Sequence, residues 1–193
     1  MITALGAYVL RQACADAVQW PPHVKLAVNL SALQFRTGNL FAMVKSTLEE
    51  TGLSPKRLEL EITETLLLEK VDQVMATLHA LRALGVHISM DDFGTGYSSL
   101  SYLRKFPFDK IKIDQSFVRD LANNADSQAI VRAILSLGSS LGITITAEGV
   151  ETEAELDCLK AEGCNEGQGY LFSKAQPQKG VLEMLAKKTV RAA

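Results

Sequence analysis

Strand-like and helix-like segments alternate along almost the whole of this chain. Strand patterns are predicted at 24–30, 58–63, 86–91, 110–113, 143–148 and 167–172. Helical patterns are predicted at 2–19, 39–51, 66–84, 98–105, 116–141, 152–162 and 178–188. Strands that alternate strictly with helices are typical of a parallel sheet with helical connections. The sequence therefore predicts an α/β fold.

Such a sheet can be an open doubly wound sheet or a (β/α)8 barrel. The strands of a doubly wound sheet are covered on both faces and read as continuous apolar runs. Here apolar and polar residues alternate instead, as where Ile111 and Ile113 alternate with Lys110 and Lys112. One helix-facing side and one inward side are typical of a barrel strand. We therefore predict a single domain over residues 1–193, a TIM-type barrel that is N-terminally incomplete because about six of eight strands are present.

Composition and charge exclude several classes of protein. Of 193 residues, 47% are hydrophobic and 22% are charged, which is a globular balance and not that of a disordered chain. The net charge of −2 gives no electrostatic basis for binding duplex nucleic acid. No apolar run reaches the roughly 18 residues of a membrane span. The three cysteines form no C-x-x-C pair, which predicts a reducing cytoplasmic location without disulfides or structural zinc.

A set of polar residues lies at the carboxyl ends of the predicted strands. Its members are Asn29, Glu61, Asp91, Asp92, Lys112, Glu148 and Gln168. The carboxyl ends of barrel strands meet at one mouth, where several carboxylates would repel one another unless cations neutralised them. Oxygen ligands favour Mg²⁺ or Mn²⁺ over zinc, and two such ions can clamp the oxygens of a phosphoryl displacement. The alternative is that these carboxylates are solvated charges at the strand ends.

Six short motifs carry a resemblance to a known family. They are N-L-S at 29–31, E-I-T-E at 61–64, D-D-F-G-T-G-Y-S-S-L at 91–100, K-I-D at 112–114, A-E-G-V-E-T at 147–152 and Q-G-Y-L-F-S at 168–173. In this order they resemble the EAL-domain cyclic di-GMP phosphodiesterases, from about Leu5 to Leu185. The D-D-F-G-T-G-Y-S-S-L segment is highly specific.

The resemblance implies a site for two divalent ions, Mg²⁺ or Mn²⁺, and for cyclic di-GMP as the substrate. The implied metal ligands are Asn29, Glu61, Asp91, Asp92 and Glu148, with Asp91 bridging the two ions. The implied catalytic residues are Lys112, which contacts the attacking water or the phosphate, Glu148 as the base, and Gln168 as a hydrogen-bonding group of the pocket. Glu151 is implied to support the ligands from behind.

The glycine-rich segment Gly94–Ser99 has two interpretations. Gly94 and Gly96 permit a tight turn before a helix that Ser98 or Ser99 caps. The resemblance instead implies a mobile loop at 93–99 that couples metal binding to the contacts of a homodimer, with Glu64 anchoring the loop and Gly94 supporting it. The segment is not a phosphate-binding P-loop, because no G-K-[ST] follows it.

Tyr170, Phe172 and Lys174 also have two interpretations. The two aromatic rings could stack on a guanine base, with the lysine beside them. Packing in the core is the commoner fate of such rings and is the expected one here.

The chain departs from the family pattern in two places. The Glu-Ala-Leu segment that names the family has no counterpart, although its glutamate is a metal ligand and the arginine after it contacts the dinucleotide in that pattern. Ala175 stands where the family usually has proline. The chain is then a fragment of a longer protein, a relative that only binds, or a domain that a second chain completes.

Three functional hypotheses follow from these residues. The favoured one is a metal-dependent phosphodiesterase that opens cyclic di-GMP to linear 5′-pGpG in bacterial second-messenger signalling. The second is a non-catalytic module that binds cyclic di-GMP or a protein partner. The third is an unrelated barrel enzyme for a phosphorylated metabolite, since a fold alone does not determine function.

Overall fold

The computed structural model of the protein describes residues 2–36, 39–68, 71–95 and 108–191, together with Leu103 and Phe106. The α-helices of this part of the chain are α1 (Ile2–Val18), α2 (Ala32–Arg36), α3 (Leu40–Thr51), α4 (Val71–Ala83), α5 (Gln115–Val118), α6 (Ala125–Leu141), α7 (Glu153–Ala161) and α8 (Gln178–Arg191). The strands are β1 (Leu26–Asn29), β2 (Leu58–Thr63), β3 (His87–Phe93), β4 (Lys110–Ile113), β5 (Thr144–Ala147) and β6 (Glu166–Gly167). Short 3-10 helices lie at Pro55–Arg57, Glu64–Leu68 and Leu121–Asn123.

The sheet follows the order of the chain, β1-β2-β3-β4-β5-β6. The pairs β3–β4, β4–β5 and β5–β6 are all parallel. A doubly wound sheet reverses its strand order at a switch point, whereas the strands of a (β/α) barrel follow one another in sequence. The prediction of an α/β fold of the barrel type is confirmed.

Five of the six predicted strands agree with the structure to within two residues at each end. The prediction of a strand at 167–172 is wrong, because the strand ends at Gly167. The amide of Phe172 donates to the carbonyl of Gly169 (3.1 Å), so the chain turns instead of extending. Of the predicted helix at 98–105 only Leu103 is among the described residues, and Gly96, Ser98 and Ser99 lie outside them.

The predicted helix at 116–141 is wrong as one element, because two backbone features interrupt it. Asp120 adopts the left-handed conformation (φ 57°), which an α-helix does not accommodate. Asn124 then caps α6, since its side-chain oxygen accepts hydrogen bonds from the amides of Asp126 (3.0 Å) and Ser127 (3.1 Å). The helix predicted at 66–84 likewise begins later, at Val71, because a 3-10 helix at Glu64–Leu68 precedes it.

The chain forms two compact units. The first comprises residues 1–60, 76–87 and 175–193. In it, Leu10, Cys14 and Ala17 form the fully buried side of α1. The guanidinium of Arg57 donates to the carbonyls of Ala17 (2.8 Å) and Val24 (2.9 Å) and so ties the end of α1 to the approach to β1.

The second unit comprises residues 61–75 and 88–174. Its core contains Ile111, Ile113 and Ala147, all with no solvent exposure. Helix α6 packs closely on β5, since a methyl group on Gly138 would overlap the side chain of Ile145. Within the described part of the chain, no helix has the length and apolar character needed to cross a membrane.

Candidate functional site

Lys112 lies at the centre of a cluster of carboxylates in the second unit. Its ammonium is 2.5 Å from Glu148 Oε1, 2.9 Å from Glu61 Oε2 and 3.3 Å from Asp91 Oδ1. These side chains come from β2, β3, β4 and the residue that follows β5. Glu61 and Lys112 are only 5% and 3% exposed, so water screens this cluster weakly. The structure therefore brings together four of the residues that the sequence predicts for the site.

Asp92 joins this cluster because the backbone of β3 is irregular there. Neighbouring residues of a regular strand point to opposite faces, which would turn Asp92 away from Asp91. The register between β3 and β4 shifts between Met90 and Phe93, and Asp92 has a positive φ of 55°. Such a bulge redirects a side chain. Oxygens of Asp91, Asp92 and Glu148 consequently lie within 4.8 Å of one another.

The cluster holds more negative charge than Lys112 can neutralise. Burial raises the pKa of Glu148, and the charges of Asp91 and Glu61 raise it further against the opposing effect of Lys112. Burial also raises the pKa of Asp92, as do the charges of Asp91 and Asp114. Both carboxyl groups therefore bind a proton more readily than usual, as expected where additional positive charge would be stabilising.

Lys112 itself stays protonated in this setting. Burial alone would lower its pKa, but hydrogen bonds and charge interactions with Glu148 and Glu61 outweigh burial and raise the pKa above the usual value. A lysine with a raised pKa does not accept a proton at neutral pH. It can instead hold carboxylates in place and attract a phosphate oxygen.

The donor set fits a hard divalent cation. Asp91, Asp92 and Glu148 offer carboxylate oxygens to a common centre, and oxygen donors are what Mg²⁺ and Mn²⁺ take. The raised pKa values of Asp92 and Glu148 have the same implication, because a cation relieves the repulsion that otherwise favours their protonated forms.

A cavity of about 330 Å³ opens beside Glu148. It is lined by Gln115, Arg119, Glu148, Gly149, Glu151, Gln168, Gly169 and Tyr170. Gln168 is held here by its backbone, since its amide donates to Ala147 O (2.8 Å) and its carbonyl accepts from Val150 N (3.0 Å). Gln168 and Glu148 thus line the same cavity.

The remaining predicted residues lie in different surroundings. Glu64 is buried in the second unit (5% exposed), and Glu151 is exposed and donates its amide to Glu155 Oε2 (2.9 Å). Gly94, two residues after Asp92, has a φ of 98°, and a methyl group on it would be 2.9 Å from the ring of Phe117. Residues 96–99 of the predicted loop are outside the described residues. Asn29 is the exposed last residue of β1, in the first unit, and its role as a ligand stays a prediction.

The expectation that Tyr170 and Phe172 pack in the core is wrong. Their side chains are 64% and 50% exposed, and they lie in the turn that follows β6. The sequence also gave no sign of Gln115 and Arg119 in the cavity lining. Arg119 belongs to the region predicted as one long helix at 116–141, and Gln115 directly precedes it. The Asn-Asn pair at 123–124, a capping signal, could have revealed the break in that helix.

Comparison with known proteins places this geometry in a family. The model of the EAL domain matches residues 1–175. The chain is 43% identical over 190 residues to MucR of Pseudomonas aeruginosa, a bifunctional diguanylate cyclase and cyclic di-GMP phosphodiesterase, covering 96% of this chain and 28% of MucR. The chain spans about a quarter of the length of the curated relatives it matches.

Solved structures give the same result. The EAL domain of DcpA from Mycobacterium smegmatis has a TM-score of 0.91 at 38% identity, covering 97% of this chain and 86% of that one. The phosphodiesterase of MucR in complex with cyclic di-GMP has a TM-score of 0.86 at 42% identity, covering 93% and 74%. BlrP1 of Klebsiella pneumoniae, in complex with manganese and cyclic di-GMP, has a TM-score of 0.78 at 37% identity, covering 89% and 44%.

Proposed function

The chain belongs to the EAL-domain family, and from this premise we propose that it hydrolyses cyclic di-GMP to linear 5′-pGpG with divalent ions, in bacterial second-messenger signalling. The observation that carries the proposal is the cluster at Lys112, where Glu61, Asp91 and Glu148 surround one ammonium at the strand ends. Relatives named as cyclic di-GMP phosphodiesterases support the substrate. Three free cysteines support a reducing cytoplasm.

The metal ligands in this proposal are Asn29, Glu61, Asp91, Asp92 and Glu148. The three carboxylates with a common centre, Asp91, Asp92 and Glu148, support it most directly. When bound, Mg²⁺ or Mn²⁺ supplies positive charge that stabilises the oxygens around phosphorus during the displacement. BlrP1, a structural neighbour, was solved with manganese and cyclic di-GMP.

The reaction adds one water across one P–O3′ bond of the cyclic dinucleotide. The water oxygen forms a bond to phosphorus, the P–O3′ bond breaks, and the 3′ oxygen leaves and takes up a proton from the solvent to become a hydroxyl. Glu148 accepts the proton of the attacking water, a role that its raised pKa and its position on the cavity support. Lys112, which stays an ammonium, attracts a phosphate oxygen, and Gln168 donates a hydrogen bond from the cavity wall.

The proposal includes a homodimer that forms through the loop at 93–99. The positive φ of Gly94 and its close approach to Phe117 restrict the start of that loop to glycine. Glu64 anchors the loop, and Glu151 supports the ligands from behind. Sedimentation of the purified chain with and without cyclic di-GMP would detect the dimer, and a monomer at all concentrations would contradict it.

The test of the function is turnover. The purified chain is incubated with cyclic di-GMP and Mg²⁺ or Mn²⁺, and 5′-pGpG is followed by chromatography. Product formation should stop with a chelator and with Asp91→Asn. Asp157→Asn is the matched control, because the Asp157 side chain is 74% exposed on α7 and pairs only weakly with Lys160 at 3.7 Å.

Two other outcomes would change the conclusion. Hydrolysis that survives both the chelator and Asp91→Asn would contradict a metal-dependent mechanism at this cluster. Binding of cyclic di-GMP without hydrolysis at any metal concentration would favour the non-catalytic module.

A further inference from the structure

The carboxylate of Glu155 receives more backbone donors than the cap of α7 requires. Glu155 is the third residue of α7, and it is only 8% exposed. Its Oε2 accepts from the amide of Thr152 (2.9 Å), which completes the reciprocal cap of that helix. The amides of Glu151 (2.9 Å) and Asp120 also donate to this carboxylate, although neither belongs to the cap. Glu155 therefore joins α7 to another part of the chain.

The donor at Asp120 belongs to a turn that follows α5. Arg119 has φ −57° and ψ 134°, and Asp120 has φ 57° and ψ 16°. These are the angles of the second and third residues of a type II turn, where the third residue needs a positive φ and is commonly glycine or asparagine. An aspartate adopts a positive φ less readily than glycine does. The turn therefore depends on a stabilising contact from outside it.

Glu155 provides that contact through the peptide that joins Arg119 to Asp120. In a type I turn this peptide is rotated by roughly 180° relative to a type II turn. The rotation would turn the carbonyl of Arg119 toward the carboxylate in place of the amide of Asp120, and two hydrogen-bond acceptors repel each other. Burial alone would raise the pKa of Glu155, but the backbone donors lower it, so the side chain is charged at neutral pH. Its charge thus selects the type II form.

The turn and the loop after β5 form two sides of the cavity beside Glu148. Gln115 and Arg119 line it on one side, and Glu148 and Gly149 line it on the other. The two sides touch, because a methyl group on Gly149 would lie 2.5 Å from Gln115 Cβ. A rotation of the peptide after Arg119 would shift the first side and loosen its contact with the residue next to Glu148.

We propose that Glu155 is a positioning residue that holds the peptide between Arg119 and Asp120 in the type II orientation and thereby fixes the position of Glu148. Its effect on the rate rests on the proposed function, whereas the orientation of the peptide does not. Glu155 is not among the described residues that line the cavity. It therefore acts through the backbone of its neighbours and not on the substrate.

The test is the nuclear Overhauser effect between the Hα of Arg119 and the amide proton of Asp120 in the isotopically labelled chain. These two protons are close in a type II turn and farther apart in a type I turn. The signal should be strong in wild type and weak in Glu155→Gln, because glutamine keeps one acceptor oxygen but also presents an amino group that favours the carbonyl of Arg119. The value of kcat for cyclic di-GMP in Mn²⁺ should fall roughly tenfold in this variant, since Glu148 is displaced.

Glu155→Gln separates this role from capping alone. Glutamine serves in the same reciprocal cap as glutamate. If Glu155 only capped α7, the signal would stay strong and kcat would not change in Glu155→Gln, and that result would overturn the proposal.

Asp120→Gly provides a rescue that a purely structural role of Glu155 would not show. Glycine favours the type II turn without help from a carboxylate. In the background of Glu155→Ala, where the signal and kcat should both be low, Asp120→Gly should restore the signal and raise kcat. Asp120→Ala in the same background should do neither, since alanine disfavours a positive φ. A restored signal without any gain in kcat would overturn the link between the turn and Glu148.

Glu153→Gln is the matched control, because Glu153 is an exposed glutamate in the same turn of α7 and should change neither the signal nor kcat. Thermal midpoints identify any variant that fails to fold. If the wild-type chain does not hydrolyse cyclic di-GMP, the proposed function has failed and the signal alone decides. A weak signal in Glu155→Gln then supports the role of Glu155 in the turn, and a strong signal overturns it.

Discussion

Strand β4 carries two lysines, Lys110 and Lys112, that face the same side of the sheet because they are two residues apart. The ammonium of Lys110 is 3.0 Å from Glu166 Oε2, and the same oxygen accepts a hydrogen bond from Thr146 (2.7 Å). The ammonium of Lys112 lies within 3.3 Å of three carboxylates. At Lys110 two donors converge on one carboxylate oxygen, whereas at Lys112 three carboxylates converge on one donor.

This difference separates a structural cluster from a candidate active site on one strand. A carboxylate that receives two donors is satisfied and needs no further ligand. A surplus of buried carboxylates is unfavourable for the free energy of folding unless a cation or a proton joins them. The surplus lies at the carboxyl end of the strands, where parallel α/β folds place their catalytic groups. The lysine nearer that end is therefore the one expected to serve the chemistry.

The largest expected effect comes from exchanging these lysines for glutamine one at a time. Lys112→Gln should lower kcat for cyclic di-GMP at least ~100-fold, because it removes a preorganised charge from the reacting phosphate. Lys110→Gln should leave kcat unchanged and lower the free energy of unfolding by on the order of 1 kcal/mol, since its pair is partly exposed. Chromatographic rates and thermal denaturation of both variants check this. Equal losses of kcat would show that the two clusters do not differ in function.

The second prediction concerns metal and pH. The pKa values of Asp92 and Glu148 are raised in the folded chain. Without metal, the charged forms of these two side chains therefore lower the free energy of unfolding at a pH above their pKa values. This destabilisation disappears as the pH falls through the pKa values and the carboxylates become protonated. A cation binds the charged forms. At 100 times its Kd, Mn²⁺ should raise Tm by roughly 5–10 °C near pH 7.5, and the gain should shrink as pH falls.

Scanning calorimetry with Mn²⁺ and with chelator measures both parts of this prediction. Glu148→Gln should reduce the gain in Tm from metal and flatten the pH dependence seen in chelator. Glu166→Gln is the matched control from the cluster at Lys110 and should change neither. A gain in Tm that is the same in wild type and Glu148→Gln would show that the ion binds elsewhere.

The strand-end residues could be predicted because the two-residue period of a strand is a strong signal. Glu61, Lys112 and Glu148 each stand in a clear alternation of apolar and polar residues, so their common face and their common end of the sheet follow from the sequence. The distances between these side chains do not follow from the sequence. Contacts between residues that are 51 positions apart, such as Glu61 and Lys112, depend on the whole sheet.

Other parts of the site could not be predicted because the backbone departs from regular geometry. Asp92 reaches the cluster only through a bulge and a positive φ that no period reveals. Arg119 reaches the cavity because Asp120 interrupts an apparently continuous helix. These backbone features interrupt the strand period at Asp92 and the helical pattern at Asp120.

A smaller effect is expected at Glu155, which holds the chain that follows Glu148. Its Oε2 accepts from the amides of Glu151 and Thr152 (both 2.9 Å), and the Thr152 hydroxyl accepts from the amide of Glu155 (3.2 Å). Burial raises the pKa of Glu155, but these backbone donors outweigh burial and lower it. Its stabilisation is thus present above the ordinary pKa of a glutamate and is lost as pH falls through the lowered value.

Glu155→Ala should lower the free energy of unfolding by about 1–2 kcal/mol through loss of this capping box. It should also lower kcat more than Lys110→Gln does, because the chain next to Glu148 loosens. Denaturant titration at pH 7 and pH 3 measures the first effect, which should be smaller at pH 3. Glu153→Ala, exposed on the first turn of α7, is the control. A loss of stability that is the same at both pH values would contradict the role of the charge.

The smallest effect is expected at Thr146, in the cluster at Lys110. Thr146→Val keeps the shape of the side chain and removes the hydroxyl that donates to Glu166, and Lys110 still reaches that carboxylate. The free energy of unfolding should fall by only about 1 kcal/mol, the net value of one such hydrogen bond. The rate with cyclic di-GMP should not change, although Thr146 is only two residues from Glu148. A fall in rate as large as that of Glu155→Ala would show that the cluster at Lys110 also positions Glu148. The two lysines of β4 would then belong to one functional network.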